Sequence, residues 1–172
     1  LQFKFCIQRG YMERIWAPWR MEYIERCDEQ KGCIFCELPK KESDRENLIL
    51  FRGQDSFVIM NKFPYAAGHL MVAPYRHTAD LNDFSDKELT DISINVRRCI
   101  NVLKKAMNPQ GFNVGANLGH AAGAGIIDHV HYHIVPRWNG DSNFMPVIGD
   151  IRVVSEGLEK TYDKLNPVFY EK

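Results

Sequence analysis

The chain has 172 residues, of which 45% are apolar, and its 22 Lys and Arg residues are balanced by 22 Asp and Glu. This composition suits one globular domain that buries a sizeable core. The balanced charge argues against a nucleic-acid coat or a membrane-surface binder, which favour excess positive charge. Apolar runs stay far below the ~20 residues that span a bilayer. The odd number of cysteines, five, indicates a reducing, cytoplasmic protein.

The start of the chain is expected to stand apart from the domain. We expect residues 1–11 to be an upstream extension or added residues, with Met12 as a natural start. Pro18 predicts the first turn of a short helix that runs toward Arg26. Residues 12–172 are then expected to form one domain.

The hydrophobic pattern predicts an α+β domain with an antiparallel sheet. Short apolar runs predict strands at residues 48–52, 57–61, 69–74, 112–117 and 129–135. Ser85 and Glu88 form a capping box that predicts the start of a long helix, which ends at residues 108–111. A shorter C-terminal helix is expected to begin at Ser155.

Three of the six histidines alternate with apolar residues in His129-Val130-His131-Tyr132-His133. On a strand, this period of two places all three on one face. A single histidine on a strand is usually structural. Three together are costly to solvate unless they serve metal ligation, acid–base catalysis or nucleophilic attack. The pattern therefore indicates a functional site.

A glycine-rich loop, residues 119–125, runs directly into the histidine segment. Successive backbone N–H groups in such a loop can bind an anion, although a plain flexible loop has the same composition. Beside a histidine strand, the loop favours a phosphate cradle next to a nucleophile. A protein without net positive charge can bind a polyanion by such a local device.

Cys33 and Cys36 form a C-x2-C pair, which predicts half of a structural zinc site. His77 and His129 are the best candidates for the other two ligands. A redox pair and two unrelated thiols remain alternatives, although the βαβ context of a redox pair is absent. If His129 binds zinc, His131 becomes the nucleophile and His133 its neighbour.

The segment from His129 to Val135 resembles the signature of the histidine triad family, in which three histidines alternate with apolar residues. Other positions follow the order found in that family, namely Asn61, Gly68-His69-Leu70, Pro74, His77 and Asn117. The resemblance covers roughly residues 30–140. It implies a histidine triad fold and a homodimer whose two sheets join into one. It also implies nucleotidyl transfer or hydrolysis through a covalent nucleotidyl-histidine.

Two flanking segments, residues 16–20 and 136–146, resemble bacterial diadenosine tetraphosphate phosphorylases of this superfamily. This closer resemblance implies phosphorolysis of diadenosine tetraphosphate to ADP and ATP, with inorganic phosphate as acceptor. Many bacterial members hold zinc through a C-x2-C pair and two histidines. A hydrolase of nucleoside phosphoramidates or dinucleoside polyphosphates remains an alternative, as does a zinc-stabilised nucleotide-binding module. The sequence leaves open whether dimers pair into tetramers.

The resemblance also implies roles for individual residues. His131 is expected to attack the α-phosphorus, while His133 stabilises charge on the phosphoryl oxygens. A backbone carbonyl near His133 is expected to hold the proton on the other ring nitrogen. The remaining nucleotide contacts are expected from Asn61 at the ribose, from Asn117 and the N–H groups of Gly123, Ala124 and Gly125 at the phosphates, and from Arg137 and Trp138 at the distal nucleotide.

Two of these roles are open to other interpretations, and the loop departs from the family pattern. A packed Trp138 and a solvated Arg137 are as compatible with the sequence as distal nucleotide contacts. His69 is expected to be structural. Many family members carry Ser or Thr in the loop before the triad, whereas this chain has Gly123-Ala124-Gly125-Ile126-Ile127-Asp128 and no hydroxyl.

Overall fold

The computed structural model describes residues 32–141 and 156–171. The described residues do not include the predicted helix after Pro18 or the flanking segment 16–20. They also do not include residues 142–146 of the second flanking segment. The described elements are helix α1 (Ile34–Glu37), strands β1 (Ile49–Arg52), β2 (Ser56–Met60) and β3 (Leu70–Pro74), helix α2 (Asp86–Met107), strands β4 (Gly111–Ala116) and β5 (Tyr132–Arg137), and helix α3 (Leu158–Tyr170). Short 3-10 turns lie at Leu38–Lys40, Leu81–Asp83 and His120–Ala122.

The five strands form one antiparallel sheet in the order β1-β2-β3-β5-β4. This confirms the predicted α+β architecture. Strand β5 lies between β3 and β4, so His133 is flanked by Met71 of β3 and Gly115 of β4. Among the described helices, none is long and apolar enough to cross a membrane.

Helix α2 begins where the capping box predicts. The Ser85 hydroxyl oxygen accepts the Glu88 N–H at 3.3 Å, and the Glu88 carboxylate accepts the Ser85 N–H at 2.8 Å. Asn108 ends the helix in the left-handed conformation, with φ of 48° and ψ of 53°. The α2 residues Ile92, Cys99, Val102 and Leu103 are buried in the main core. The helix therefore covers one face of the sheet.

The strands alternate between two cores. Leu50, Val58, Leu70, Val72 and Ile134 face the helices α2 and α3 in the larger core. The intervening strand residues form a second cluster on the opposite face together with Phe35 of α1. The strand residues of this cluster are Ile49, Phe57, Ile59, Met71 and Ala73. Because cross-strand partners share a face, the side chain of His133 lies on the same side as its partner Met71.

Gly68 brings the start of β3 against α2. Its φ is +76°, and a Cβ atom there would lie 2.7 Å from Met107 Sδ and 3.0 Å from Leu103 Cδ2. A larger residue would strain this turn and push the strand away from the helix. The turn places the next residue, His69, at the edge of the site.

The predicted strand at residues 129–135 is wrong at both ends. His129 lies in a bend before β5. Its ring bonds to the carbonyl of Pro74 at the end of β3, and the Val130 N–H donates to the Thr78 carbonyl beyond that strand. At the other end, β5 continues through Pro136. The pairing of β3 with β5 ends at Ile134, so the missing proline N–H removes no bond from that ladder.

The other bounds differ less. Strands β1 to β4 begin or end within one residue of their predicted limits, which is ordinary for strand termini. The prediction that the last helix begins at Ser155 is wrong, because Gly157 is extended and caps a helix that begins at Leu158.

Candidate active site and metal centre

Four predicted metal ligands from three parts of the chain converge on one point. Helix α1 and the residue before it supply Cys36 and Cys33, the segment after β3 supplies His77, and the bend before β5 supplies His129. Their ligand atoms all lie within 4.8 Å of one another. The structure thus brings together residues that are up to 96 positions apart in the chain.

The spacing of these atoms fits zinc. His129 Nδ1 lies 3.2 Å from Cys33 Sγ, 3.6 Å from Cys36 Sγ and 3.2 Å from His77 Nδ1, while Cys36 Sγ lies 3.4 Å from His77 Nδ1. Tetrahedral zinc with Zn–N about 2.0 Å and Zn–S about 2.3 Å separates its ligand atoms by about 3.3–3.8 Å. Two sulfurs and two imidazole nitrogens are a common structural zinc set.

The protonation of this cluster also favours a cation. His129 Nε2 lies 2.9 Å from the Pro74 carbonyl oxygen, so it carries the ring proton and leaves the Nδ1 lone pair for a metal. Burial lowers the pKa of His129, which keeps the ring neutral. Burial also raises the pKa of Cys36, and the nearby Cys33 sulfur raises it further. A bare thiolate at Cys36 is therefore disfavoured without a metal.

His131 is held as a neutral ring with one bare nitrogen. Its Nδ1–H donates to the His129 carbonyl oxygen at 2.9 Å, so the lone pair of the neutral ring is on Nε2. The side chain is buried, and this burial lowers its pKa. The carbonyl expected near His133 is that of His129. The prediction was wrong about its place because it treated His129 as a regular strand residue.

His133 completes a chain of hydrogen bonds that begins at a backbone group. The Tyr65 N–H donates to His69 Nδ1 at 3.1 Å, so His69 carries its ring proton on Nε2. That proton is donated to His133 Nδ1 at 2.9 Å. His133 therefore carries its own proton on Nε2. Burial, followed by the neighbouring His131, lowers the pKa of His133 to about 4, so the ring is neutral at pH 7.

The two catalytic rings are in contact. The ring centroids of His131 and His133 lie 4.8 Å apart in an edge-on arrangement. One ring offers a bare nitrogen and the other offers an N–H donor. A bare nitrogen can attack an electrophile, while a neighbouring donor can stabilise the charge that forms on it.

His69 joins the candidate site, although the sequence interpretation expected only a structural residue there. It is 1% exposed and bonds directly to His133. The period-two pattern of β3 contains the relevant signal, because His69 shares a face with Met71, and Met71 is opposite His133. Asn61 belongs to the same group, since its Nδ2 lies 3.3 Å from His69 Nδ1.

The predicted phosphate-binding residues lie at the end of the β4–β5 pair. Asn117 follows Ala116, the last residue of β4, which pairs with Tyr132 next to His131. In the loop, Gly119 and Gly123 have φ of +80° and +81°, which favours glycine. The Gly123 N–H is already used, because it donates to the His120 carbonyl at 2.9 Å. Ala124 is buried and Gly125 is exposed.

Arg137 and Trp138 lie at the other end of β5. The Arg137 guanidinium donates to both carboxylate oxygens of Asp141, at 2.6 and 2.9 Å, and to Asn113 Oδ1 at 3.0 Å. Arg137 in turn lowers the pKa of Asp141 to about 2. The Trp138 N–H also donates to Asp141, at 3.2 Å. Asp141 thus ties both residues to the turn that follows β5.

Comparisons with known proteins agree with this geometry. The family model described as the HIT domain matches residues 42–140. The AP-4-A phosphorylase of Mycobacterium tuberculosis is 38% identical over 162 residues, covering 90% of this chain and 83% of that protein. The adenosine 5′-monophosphoramidase HNT1 of Saccharomyces cerevisiae is 36% identical over 140 residues, covering 81% of this chain and 80% of that protein.

A solved structure shows the same fold. A zinc-bound histidine triad family protein of Mycobacterium smegmatis superposes with a TM-score of 0.65 at 23% identity, covering 80% of this chain and 93% of that one. The family model covers more than half of the chain, and the mycobacterial relative extends over nearly all of it. The chain belongs to the HIT-domain family, whose members carry the histidine triad.

Proposed function

We propose that this chain is a nucleotidyltransferase that cleaves diadenosine tetraphosphate with inorganic phosphate, giving ADP and ATP. The observation that carries the proposal is the hydrogen bond from His131 Nδ1 to the His129 carbonyl oxygen, because it leaves a neutral Nε2 free to attack. The name of the mycobacterial relative, AP-4-A phosphorylase, supports this choice of substrate.

In the first step, His131 Nε2 attacks one α-phosphorus. A nitrogen–phosphorus bond forms, the bond from that phosphorus to the bridging oxygen breaks, and ATP leaves with the electron pair. The hydrogen bond to the His129 carbonyl holds the proton on His131 Nδ1 and stabilises the positive charge that develops on the ring. His133 donates its Nε2–H to a phosphoryl oxygen.

In the second step, an oxygen of inorganic phosphate attacks the phosphorus of adenylyl-His131. The nitrogen–phosphorus bond breaks, its electron pair returns to Nε2, and ADP leaves. Water in place of phosphate would give AMP. The two reactions share their first step and differ only in the acceptor.

The remaining residues bind the substrate in this proposal. We assign Asn61 to the ribose, Asn117 to the phosphates, and Arg137 and Trp138 to the distal nucleotide. Gly123 shapes the loop through its left-handed φ, while the N–H groups of Ala124 and Gly125 contact the phosphoryl oxygens. The same loop lacks the hydroxyl that many relatives place near the leaving group. We expect slow departure of ATP for this reason.

Zinc is proposed to bind to Cys33, Cys36, His77 and His129, where it would stabilise the fold. Four protein ligands fill a tetrahedral site, so we assign the metal no part in activating water. The described cysteines Cys33, Cys36 and Cys99 are all free thiols, which supports a reducing, cytoplasmic location.

We further propose that residues 12–172 form one domain and that two copies form a dimer. Strand β4 pairs with β5 on one side only, within the described residues, and Val114 on this strand is 47% exposed. Pairing of two β4 edges would join the two sheets and cover this strand. Each subunit keeps its own histidines, and pairs of dimers would form a tetramer.

A hydrolase of nucleoside phosphoramidates is the second candidate function. The yeast relative named adenosine 5′-monophosphoramidase supports it, and it needs the same His131 and His133. A nucleotide-binding module with little catalysis is the candidate from another class, and the geometry of His131 argues against it.

The products separate these functions. The protein is incubated with diadenosine tetraphosphate with and without inorganic phosphate, and the nucleotides are resolved by chromatography. Formation of ADP and ATP only with phosphate supports the phosphorylase. AMP and ATP without phosphate indicate a hydrolase. If neither tube shows product, adenosine phosphoramidate is tested next, and a second negative result leaves the binding module.

Replacement of the nucleophile tests the mechanism. The variant His131→Ala should abolish turnover and still bind the nucleotide, because it loses the attacking nitrogen while Asn61, Asn117 and the loop remain. Ser93→Ala, which changes an exposed residue of α2 on the opposite face of the sheet, is the control and should turn over at a near wild-type rate. Near-normal turnover by His131→Ala would contradict the assignment.

A further inference from the structure

Phe35 lies between the two cysteines of the metal centre but points toward the nucleophile. Phe35 belongs to the four-residue helix α1, and its side chain is 1% exposed. Cys33 lies just before this helix, and Cys36 follows Phe35 within it. A buried aromatic ring in so short a helix is held by what surrounds it and not by the helix itself. The position of this ring therefore depends on the cysteine turn.

The ring of Phe35 packs against two histidines with different functions. Its centroid lies 5.3 Å from that of His129, a metal ligand, and 4.8 Å from that of His131. The His133 ring contacts His131 as well, at 4.8 Å. The imidazole of His131 thus contacts both Phe35 and His133.

The backbone provides a second connection between the metal centre and His131. The bond from His131 Nδ1 to the His129 carbonyl fixes one atom of the imidazole. It does not fix the tilt of the ring about that atom. Contact with the tilted ring of Phe35 restricts this tilt and therefore limits the direction of the Nε2 lone pair.

We propose that Phe35 is a positioning residue that couples the metal centre to the nucleophile. This proposal rests on the proposed function only where kcat and KM are used to test it. The cysteine turn, closed when its ligands share a metal, holds Phe35 against His131 and so keeps Nε2 aligned. The Cys33–Cys36 segment then has a catalytic consequence although it contacts no substrate.

Phe57 offers a matched control. It is 0% exposed, lies in the same apolar cluster, and its ring centroid is 6.4 Å from that of Phe35. Among the described residues its other ring contact is with Tyr75, at 5.4 Å, and not with a histidine. Replacement of either phenylalanine by leucine removes a similar buried volume, so the two variants should lose similar stability.

The variants Phe35→Leu and Phe57→Leu are loaded with zinc, assayed for metal content, and compared in kcat and KM for diadenosine tetraphosphate. We expect kcat to fall at least about tenfold in Phe35→Leu, because small misplacements of a reacting group are costly, with KM changed less than about threefold. Phe57→Leu should keep kcat near the wild-type value. Equal losses of kcat in the two variants would overturn the proposal.

A spectroscopic readout makes the proposal independent of turnover. Long-range ¹H–¹⁵N correlation spectra report which imidazole nitrogen carries the proton. The wild type and Phe57→Leu should show sharp His131 signals, protonated at Nδ1, whereas Phe35→Leu and chelator-treated wild type should show broadened His131 signals, because the ring tilts about its Nδ1 hydrogen bond. Unchanged His131 signals in both perturbed samples would overturn the coupling.

The kinetic and spectroscopic readouts distinguish a failure of the proposed function from a failure of the coupling. A wild type that acts on no nucleotide contradicts the proposed function, and the spectra then decide the coupling alone. If Phe35→Leu does not fold or does not hold one zinc per chain, Phe35→Met takes its place, since methionine keeps the volume without the flat ring. The same criteria then apply to that variant.

Discussion

Backbone groups decide which nitrogen of each histidine carries the proton. The carbonyls of Pro74 and His129 take the Nε2 proton of His129 and the Nδ1 proton of His131, and the Tyr65 N–H occupies Nδ1 of His69. A backbone carbonyl can only accept a hydrogen bond, and a backbone N–H can only donate one. Each ring therefore has one tautomer, which leaves His129 Nδ1 bare at the candidate metal centre and His131 Nε2 bare beside His133.

The pH dependence of the reaction follows from burial of the catalytic rings. Burial lowers the pKa of His131, and burial followed by the neighbouring His131 lowers that of His133 to about 4. Both rings therefore stay neutral as the pH falls through 6.5, the ordinary value for histidine. We expect the acid limb of kcat/KM for diadenosine tetraphosphate, which reports the free enzyme, to lie below pH 6.5.

The profile is measured at saturating inorganic phosphate from about pH 4 to pH 8, so that the acceptor does not limit the rate. The protein is held at each pH and returned to neutrality to separate reversible protonation from unfolding. An acid limb centred at or above pH 6.5 would show that these rings titrate like solvent-exposed histidines, which contradicts the account.

Residue identities at the site were predictable, but their hydrogen-bond partners were not. The C-x2-C pair and the alternating histidines carry their chemistry in the sequence. The pairing of His69 with His133 depends on how β3 packs beside β5, which residue spacing alone does not show. The contact of Phe35 with His131 was not predictable for the same reason, because these two residues lie almost a hundred positions apart in the chain.

At the scale of elements, local signals predicted the ends that local groups determine. The capping box placed the start of α2 correctly, because both of its partners lie within three residues. The bend at His129 and the continuation of β5 through Pro136 were missed, since both depend on β3. Long-range partners override strand propensity at these positions.

The capping box gives a prediction for α2. Ser85→Ala removes the side chain that accepts the Glu88 N–H and should cost about 1 kcal/mol of unfolding free energy. The site lies on the opposite face of the sheet, so kcat should not change. Urea denaturation followed by circular dichroism measures the first quantity, and a product assay measures the second.

Ser93→Ala is the matched control in the same helix. Its hydroxyl donates to the Leu89 carbonyl in the middle of the helix, where alanine has the higher helix propensity. This variant should be as stable as the wild type or slightly more stable. Equal destabilisation by the two substitutions would show that the cap contributes nothing specific.

At the scale of the whole molecule, the candidate metal centre closes long loops of the fold. It joins α1 to the segment after β3 and to the bend before β5, with contacts between residues 41 and 96 positions apart. The sheet and α2 form a core without these residues, so a bound metal would add stability to one side of the molecule. That side carries His131 and His133.

Removal of the metal should therefore lower the melting temperature. A site saturated 100-fold above its Kd adds about 2.7 kcal/mol, and about 1 kcal/mol shifts Tm by about 2–4 °C in a domain of this size. We expect a strong chelator to lower Tm by at least about 5 °C on this basis. Cys36→Ala, which lacks one ligand, should melt at a lower temperature whether or not chelator is present. The same chelator shift in that variant would mean that the metal binds elsewhere.

The covalent intermediate is the most direct test of the central claim. The wild type is mixed with diadenosine tetraphosphate in the absence of inorganic phosphate, quenched in alkali, digested and sequenced by mass spectrometry. The account predicts an adenylyl group on His131, which disappears with release of ADP when phosphate is added before the quench. Turnover without an adduct, or an adenylyl group on any other residue, would contradict it.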